Sequence, residues 1–294
     1  MPLIRLLAAL LLLATPAAAG PTLDRILSEK TLRIGVRTDA PPFAALVDGR
    51  PQGFSVDLCG LIAGAIVATS KIEGLEGTMI TVGAENRFDA LAKGEIDILC
   101  GATTATLTRR ETMAFSVPTF STGLGAVVAA DAPALLREVL IEGGPAALSQ
   151  AAVAEALKAQ TVGARAGTTA EDWLASGPLS KIDGISVAPV DDHAAGIAAV
   201  AEGRLAAYFA DKAILLGQLR GSAEAESFAV SKVAFTTEPY ALALPRGDED
   251  LRLVVDRALS FLYRQGAILK IYERHFGRPS PQVLLFYSMA ALPE

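Results

Sequence analysis

Short apolar segments typical of buried strands alternate with longer segments of helical periodicity along most of the chain. The segments at residues 32–36 (LRIGV) and 96–100 (IDILC) predict strands, and the apolar run at 56–68 predicts a helix. A further helix, within NRFDALAKG, is expected to end at Gly94, because a helix C-terminus favours glycine. This alternation of strands and helices predicts an α/β fold made of packed layers.

The same pattern starts again near Thr161, which indicates a second unit of the same kind. HAAGIAAVAEG followed by RLAAYFAD repeats the layout of NRFDALAKG followed by EIDILC, with Gly203 in the place of Gly94. Two extended segments rich in β-forming residues, 115–130 and 233–245, lie between the units. If both cross between the units, they form a hinge with a cleft between two lobes. Residues 132–160 are expected to form a helical insertion on the second lobe.

The N-terminal residues have the three-part layout of a secretory signal. Arg5 precedes an apolar run at 6–15, and Pro16 and the small residues 17–19 follow it. A run of about ten apolar residues is too short to cross a hydrocarbon layer of about 30 Å. We therefore expect residues 1–19 to be a signal peptide cleaved after Ala19, and the mature protein to be periplasmic.

The composition excludes several classes of function. With 294 residues, 51% of them hydrophobic and 20% charged, the chain is typical of a folded protein of about two domains. Its formal net charge of -6 offers no basic surface for a phosphate backbone, so we expect no nucleic-acid partner. It has 2 histidines and no H-E-x-x-H, G-x-S-x-G or phosphate-loop motif. We therefore expect no metal, no cofactor and no catalytic residues.

Candidate chemistry is concentrated after the strand at 96–100. Thr104 and Arg109 lie in the segment that follows it, where a hydroxyl, free backbone N–H groups and a guanidinium can hold a carboxylate. Alternatively, Arg109 and Arg110 form a solvated charged pair and Thr104 caps a helix. Export would also allow Cys59 and Cys100 to form a disulfide; two buried free thiols are the alternative, since spacing alone does not place the sulfurs within reach.

Six motifs in order resemble the periplasmic amino-acid-binding proteins of ABC importers, solute-binding family 3. They are LRIGV-x3-APPF, QGFSVDLC, GEIDILCGATT-x4-R, AFSVPTF, VGARAGTT and EGRLAAYFAD. The chain is most similar to the glutamate/aspartate-binding members, which carry an arginine at position 37, an N-R pair at 86–87, CGSTT at 100–104 and D-H at 192–193. The resemblance implies a two-lobed Venus-flytrap fold with two hinge crossovers, each lobe a mixed sheet flanked by helices. Lobe 1 would be residues 20–121 and 239–294, and lobe 2 residues 122–238.

The resemblance also implies roles for the groups that would meet the α-carboxylate and ammonium of an amino acid. Thr104 and Arg109 match the clamp for the ligand α-carboxylate, and Thr168 matches a donor from the second lobe. Asp211 matches the carboxylate that holds the ammonium group. From the residues alone, Asp211 could instead be the N-cap of the next helix.

The remaining matches concern the ligand side chain. Arg37 and Arg87 match arginines that meet a second carboxylate, and His193 matches a histidine at that end of the site. Each has a structural alternative: an exposed arginine at a strand end, a charged residue at a helix start, and a histidine that only packs or caps. Ala102 and Ala84 stand where the glutamate/aspartate binders have serines. Ala102 can still offer its backbone carbonyl, whereas Ala84 removes a hydroxyl near the side-chain end. Trp173 is expected to be a core residue of lobe 2.

Three arginines against one aspartate also favour an anionic ligand. The implied function is capture of glutamate or aspartate for delivery to ABC permease subunits, by a monomer without enzymatic activity. Two alternatives remain at this stage. One is a periplasmic enzyme of the same fold, similar to cyclohexadienyl dehydratases, and the other is a soluble sensory module.

Overall fold

The computed structural model describes residues 20–70, 74–143, 147 and 149–294. The expected signal peptide, residues 1–19, lies outside the described residues. Within the described ranges, no helix combines the length and apolar character needed to span a membrane.

The described chain alternates strands and helices as the sequence predicts. In chain order, the strands are β1 (Thr31–Val36), β2 (Asp39–Ala40), β3 (Ala44–Val47), β4 (Arg50–Gln52), β5 (Glu76–Thr81), β6 (Ile98–Cys100), β7 (Met113–Phe115), β8 (Phe120–Thr122), β9 (Leu124–Ala129), β10 (Thr161–Arg165), β11 (Ser186–Val190), β12 (Ala207–Asp211), β13 (Phe228–Val230), β14 (Glu238–Tyr240) and β15 (Ala243–Pro245). The α-helices are α1 (Pro21–Glu29), α2 (Phe54–Ser70), α3 (Arg87–Ala92), α4 (Leu107–Arg110), α5 (Ala134–Arg137), α6 (Gln150–Leu157), α7 (Thr169–Ser176), α8 (His193–Ala201), α9 (Lys212–Leu219), α10 (Glu249–Arg264), α11 (Ala267–Phe276) and α12 (Pro281–Ala290).

Lobe 1 is built on a five-stranded mixed sheet in the order β5-β1-β6-β15-β7. β1 pairs in parallel with β5 and β6, and its residues Ile34 and Val36 are buried. β15 comes from the C-terminal part of the chain and pairs antiparallel with β6 and β7. The parallel strands direct their carboxyl ends to the same edge of the sheet, where the segments after β1 and β6 begin.

Lobe 2 repeats this arrangement with a five-stranded mixed sheet in the order β11-β10-β12-β9-β13. β10 is parallel to β11 and β12, and β9 is antiparallel to β12 and β13. Trp173 packs against the core of this lobe, with its ring stacked on Phe235 at a centroid distance of 5.8 Å. The two sheets and their helices confirm the predicted two-lobed α/β fold.

The two crossings between the lobes run side by side. β8 and β14 pair antiparallel, with Tyr240 opposite Phe120 and Glu238 opposite Thr122. The amide of Thr119 also donates to the carbonyl of Tyr240 at 2.8 Å. These two crossing strands are the hinge crossovers that connect the lobes.

The insertion on lobe 2 is mainly helical in the residues that the structure describes. It contains α5, a π-helical turn at Glu138–Glu142, and α6. Leu136 and Leu140 are buried in the core of lobe 2, so the insertion is part of that core.

Aromatic side chains fill the core of lobe 1 beneath the hinge. Phe120 of β8 lies 4.9 Å from Phe43 and 4.7 Å from Phe276 of α11, measured between ring centroids. The C-terminal helices hold the same region from outside, because the hydroxyl of Tyr287 on α12 donates to the carbonyl of Thr119 at 3.1 Å. The lobe 1 side of the hinge is therefore fixed by packing.

Cys59 on α2 and Cys100 at the end of β6 form a disulfide, with their Cα atoms 6.4 Å apart. Both residues are buried. The bond fastens the longest helix of lobe 1 to the strand that leads into the segment carrying Ala102 and Thr104. It therefore holds the start of that segment on the sheet.

Reduction of this disulfide should lower the free energy of unfolding by about 2 to 4 kcal/mol, since the bond closes a loop with a sequence separation of 41. The measurement is urea denaturation with and without reductant, together with thiol titration of freshly purified, denatured protein. A Cys59→Ala/Cys100→Ala variant is the control, because reductant should leave its stability unchanged. Two titratable thiols in the wild-type protein would contradict the assignment.

Candidate functional site

A cavity lies between the two lobes at the ends of their strands. Its lining residues come from both lobes: Arg37, Arg87, Ala102, Thr104, Arg109, Thr168, Thr169, Ala170, His193, Ala210, Asp211 and Ile214. The cavity volume is about 20 Å³, which holds about one water molecule. The lobes therefore lie against each other around this small cavity, and a larger ligand requires its lining side chains to move apart.

All eight residues proposed from the sequence line this cavity. From lobe 1, Arg37 follows β1, Arg87 begins α3, Ala102 and Thr104 follow β6, and Arg109 lies in α4. From lobe 2, Thr168 precedes α7, His193 begins α8 and Asp211 ends β12. They meet because the ends of parallel strands, and the helices that follow them, face the same cleft.

Arg37 is almost completely buried, with 2% of its surface exposed. Its Nη2 lies 3.1 Å from Oδ1 of Asp39, and its Nη1 donates to the carbonyl of Ala102 at 3.3 Å. The backbone of Ala102 is thus used as a carbonyl acceptor. Arg37 has a carboxylate partner inside the protein.

Arg87 and Arg109 differ from Arg37 in this respect. Arg87 donates to the carbonyl of Gly167 across the cleft at 3.0 Å and also to that of Ala84. Arg109 donates to the carbonyl of Thr104 at 2.9 Å. Among the described residues, neither arginine has a carboxylate within 4.0 Å, yet both guanidinium groups lie against the ring of Phe88. These are two neighbouring cations without a direct carboxylate partner among the described residues.

The electrostatics of the cleft reflect this crowding of positive charge. Burial, together with the charges of Arg37 and Arg109, lowers the pKa of Arg87 to about 9. Burial likewise lowers the pKa of Arg109. An anion bound between these groups would offset the cost of their desolvation and reduce their mutual repulsion. The lobe 1 side of the site therefore favours a negatively charged ligand.

Helix N-termini contribute from lobe 2. Thr168 caps α7 by accepting from the amide of Glu171 at 3.5 Å, and its own hydroxyl donates to the carbonyl of Arg165 at 2.7 Å. Asp192 caps α8 by accepting from the amide of Ala195 at 2.7 Å. Both helices therefore present their positive ends to the cleft.

His193 and Asp211 complete the lobe 2 side. Burial and the nearby arginines, Arg37 first, hold the pKa of His193 well below its usual range, so its imidazole is neutral. Its Nδ1 pairs with the hydroxyl of Tyr208 at 2.8 Å. Burial and the charge of Glu238 raise the pKa of Asp211 to about 7. In the part of the chain that the structure describes, Nε2 of His193 and Oδ1 of Asp211 are buried without a hydrogen-bond partner.

The structure settles two local alternatives at these positions. Asp211 occupies the N-cap position of α9, but its side chain makes no capping hydrogen bond. Arg109 lies in the short helix α4, and Thr106 caps that helix by accepting from the Arg109 amide at 3.1 Å. Thr104 is therefore not a helix cap.

Sequence reasoning missed Glu238. Its Oε2 accepts from the hydroxyl of Thr104 at 2.7 Å and from that of Thr169 at 2.8 Å. This hinge carboxylate therefore joins the two lobes at the base of the cleft. In this arrangement the hydroxyl of Thr104 donates its hydrogen bond to Glu238. The available signal was an isolated charge within the β-rich crossing segment TTEPY.

Two further residues missed by sequence reasoning lie at the rim of the cleft. Asp39 comes two residues after Arg37, and Arg165 ends β10 of the other lobe; the two form an ion pair across the cleft. Asp39 and Arg165 are 126 positions apart in the sequence, so no local pattern pairs them.

Two mixed α/β sheets joined by paired crossing strands, with a charged cleft between them, define a two-lobed binding protein. Residues 32–278 match the family described as bacterial extracellular solute-binding proteins, family 3. The match covers most of the chain, and the protein belongs to this family.

Individual relatives are similar over nearly the whole chain. An L-glutamate/L-aspartate-binding protein of Pseudomonas aeruginosa is 27% identical, over 92% of this chain and 85% of its own. A crystal structure of a mutant of ArgBP from T. maritima has a TM-score of 0.72 and 26% identity, over 87% of this chain and 100% of its own. An ancestral amino acid-binding protein described as a precursor of cyclohexadienyl dehydratase has a TM-score of 0.69 and 24% identity, over 88% and 100%. The last likeness shows the fold alone.

The raised pKa of Asp211, about 7, makes a prediction about stability. The folded protein binds this proton more tightly than the unfolded chain, so Asp211 should destabilise the folded state increasingly as pH rises from about 4 to 7. Asp211→Asn removes that term, and the stability of the variant relative to wild type should rise over this window and level off above it. The measurement is the urea midpoint of both proteins at several pH values without ligand.

Asp183→Asn is the matched control, because Asp183 is an exposed residue of lobe 2. It should follow the wild-type pH profile. Parallel profiles for Asp211→Asn and wild type would show that folding does not raise the pKa of Asp211.

Proposed function

We propose that this protein captures an acidic amino acid, glutamate or aspartate, in the interlobe cleft and delivers it to the permease of an ABC importer. The observation that carries the proposal is the pair of cations Arg87 and Arg109, both against the Phe88 ring and both without a carboxylate partner among the described residues. Asp211, with an unpaired Oδ1, adds one carboxylate nearby. Two cations and one anion complement the two carboxylates and one ammonium of an acidic amino acid.

Each group then has one role. Arg109, which the Thr104 carbonyl holds in place, meets the α-carboxylate, and Arg87 meets the side-chain carboxylate. Asp211 in its ionised form holds the ammonium group. Thr168 supports the α-carboxylate from lobe 2, and neutral His193 lines the side-chain end, where its Nε2 can donate without adding charge.

The role of Arg37 is narrower than the resemblance implies. Because Asp39 accepts from Arg37 at 3.2 Å, much of its charge is compensated within lobe 1. We propose that it supports the site by holding the Ala102 carbonyl and by adding positive potential around Arg87. Arg87 is then the main determinant of preference for an acidic side chain.

The names of relatives with this fold give different ligands. The proposed specificity of this chain therefore rests on the charges in its own cleft. The relative from Pseudomonas aeruginosa is named for glutamate and aspartate, and the one from T. maritima is named ArgBP. A basic side chain placed here would meet Arg87 in a desolvated site and be repelled. An amide is a milder mismatch, since its oxygen can still accept a hydrogen bond.

The two lobes divide the contacts with such a ligand between them. Because it touches residues of both, it binds the closed arrangement more tightly and shifts the population toward it. We propose that the permease recognises this closed form, in the periplasm of the cell that exports the chain. No acid–base chemistry is required, although the structural likeness to a dehydratase precursor makes prephenate a useful negative control.

Calorimetric titration of the mature protein tests the ligand. We expect glutamate or aspartate to bind with a Kd of about 1 μM or tighter, which corresponds to about -8 kcal/mol. Glutamine should bind more weakly, and arginine and histidine should not bind measurably, because they place a cation against Arg87. Tight binding of arginine or leucine without binding of either acid, or turnover of prephenate, would contradict the proposal.

The clamp is tested by Arg109→Ala. Removing this guanidinium leaves a desolvated α-carboxylate without its cation, which should cost about 3 to 5 kcal/mol for every amino acid that binds. The control is Arg110→Ala, since Arg110 is the exposed neighbour on the same helix. Both variants should remain folded by circular dichroism. An Arg109→Ala variant that binds as tightly as Arg110→Ala would show that the clamp lies elsewhere.

A further inference from the structure

An ion pair joins the lobes at the rim of the cleft, outside the residues that line the cavity. Asp39 of lobe 1 lies between two guanidiniums: its Oδ2 pairs with Nη1 of Arg165 from lobe 2, and its Oδ1 accepts from Nε of Arg37 at 3.2 Å. The side chain of Arg165 is 7% exposed and that of Asp39 is 21% exposed. This pair is therefore largely shielded from solvent in the closed arrangement.

Both partners are held in position by their own lobes. Nε of Arg165 donates to the carbonyl of Asp191 at 3.0 Å, which aims its guanidinium toward the cleft. Asp39 is part of β2, which pairs with β3 in a small three-stranded sheet. Because little side-chain freedom is lost when these two groups meet, their contact favours closure more than a flexible surface pair would.

A second contact lies beside the ion pair. Nε2 of Gln218 on α9 donates to the backbone carbonyl of Asp39 at 3.0 Å. Gly217, its neighbour, approaches the backbone of Pro41 so closely that an added Cβ would collide with the Pro41 carbonyl oxygen. Helix α9 thus packs this closely against the turn between β2 and β3 only because residue 217 has no side chain.

We infer that Asp39 and Arg165, with the close approach of Gly217 to Pro41, form an interlobe latch that favours the closed arrangement independently of the ligand. Every atom of the latch belongs to the protein, and the ligand groups proposed above meet other residues. Arg165 is therefore a positioning residue, which sets how often the lobes are closed. Opening the latch should weaken all ligands by the same factor, because each must then also supply the free energy of closure.

The first variant is Arg165→Gln, which breaks the interlobe pair but leaves Arg37 and Asp39 together. Small-angle X-ray scattering of the ligand-free protein should show a larger radius of gyration than wild type. Calorimetry should show Kd values for glutamate and glutamine that both rise about 5-fold or more, with their ratio unchanged. Arg204→Gln is the control, because Arg204 pairs with Glu202 on the exposed surface of the same lobe.

The second variant is Gly217→Ala, which tests the latch without removing a charge. Alanine is a better helix former than glycine, so the variant should fold at least as stably as wild type while its Cβ holds the lobes apart. The same opening and the same uniform loss of affinity are expected. Gly60→Ala on α2 is the control, because a Cβ at Gly60 meets nothing within 4 Å.

These outcomes test the latch separately from the ligand assignment. Only the calorimetric measurement depends on the proposed ligand. An unchanged radius of gyration in both variants would overturn the latch, whatever the ligand. A changed glutamate-to-glutamine ratio in Arg165→Gln, without opening, would overturn it by showing that Arg165 contacts the ligand. If wild type bound no acidic amino acid, the proposed function would fail, and the scattering comparison of ligand-free proteins would still decide the latch.

Discussion

The cost of burying several guanidinium groups in one cleft is the constraint that organises this protein. Arg37, Arg87 and Arg109 extend from three different segments of lobe 1, and Arg165 extends from lobe 2. Each loses water when the lobes meet, and neighbouring guanidiniums raise the cost further, as the lowered pKa values of Arg87, about 9, and Arg165, about 10, show. A closed cleft is possible only where this charge is met by acceptors.

The acceptors divide the cleft into two regions. At the rim, the carboxylate of Asp39 serves both Arg37 and Arg165, so charge there is balanced within the protein. Around the cavity, Arg87 and Arg109 have backbone carbonyls as their hydrogen-bond acceptors. Carbonyl dipoles orient these groups without neutralising them. The protein thus balances one region by itself and leaves a positively charged site in the other, which is the property expected of an anion receptor.

The fold places this chemistry where closure can act on it. The disulfide and the aromatic core beneath β8 fix lobe 1, so the arginine segments keep their arrangement when the lobes move. Motion is left to the paired strands β8 and β14, and Glu238 on β14 bridges Thr104 and Thr169 beside the site. The closed lobes are therefore in contact at both ends of the cleft: through the Glu238 carboxylate at its base and through Asp39 at its rim.

Much of this protein could be predicted from local sequence. The period of apolar residues predicts strands and helices because burial acts on neighbouring positions, and Gly94 and Gly203 mark the helix ends since both adopt positive φ angles. The repeated pattern indicated two lobes, and the resemblance to solute-binding family 3 implied eight residues that the structure places around one cavity. Thr104 and Arg109 were also indicated by their place after a strand, since strand ends face the cleft.

Other features depended on where separate segments meet in space. Glu238 is separated from Thr104 by 134 positions, and the two cysteines by 41, so no periodicity links either pair. The pairing of Asp39 with Arg165 depends on the angle between the lobes, which the hinge sets and no local pattern encodes. Sequence alone therefore indicated the arginines and the aspartate that line the cavity. Only the tertiary structure added Glu238, Asp39 and Arg165 to the cleft and decided which charged groups are neutralised by one another, because ion pairing depends on distances of a few ångströms between groups held by different lobes.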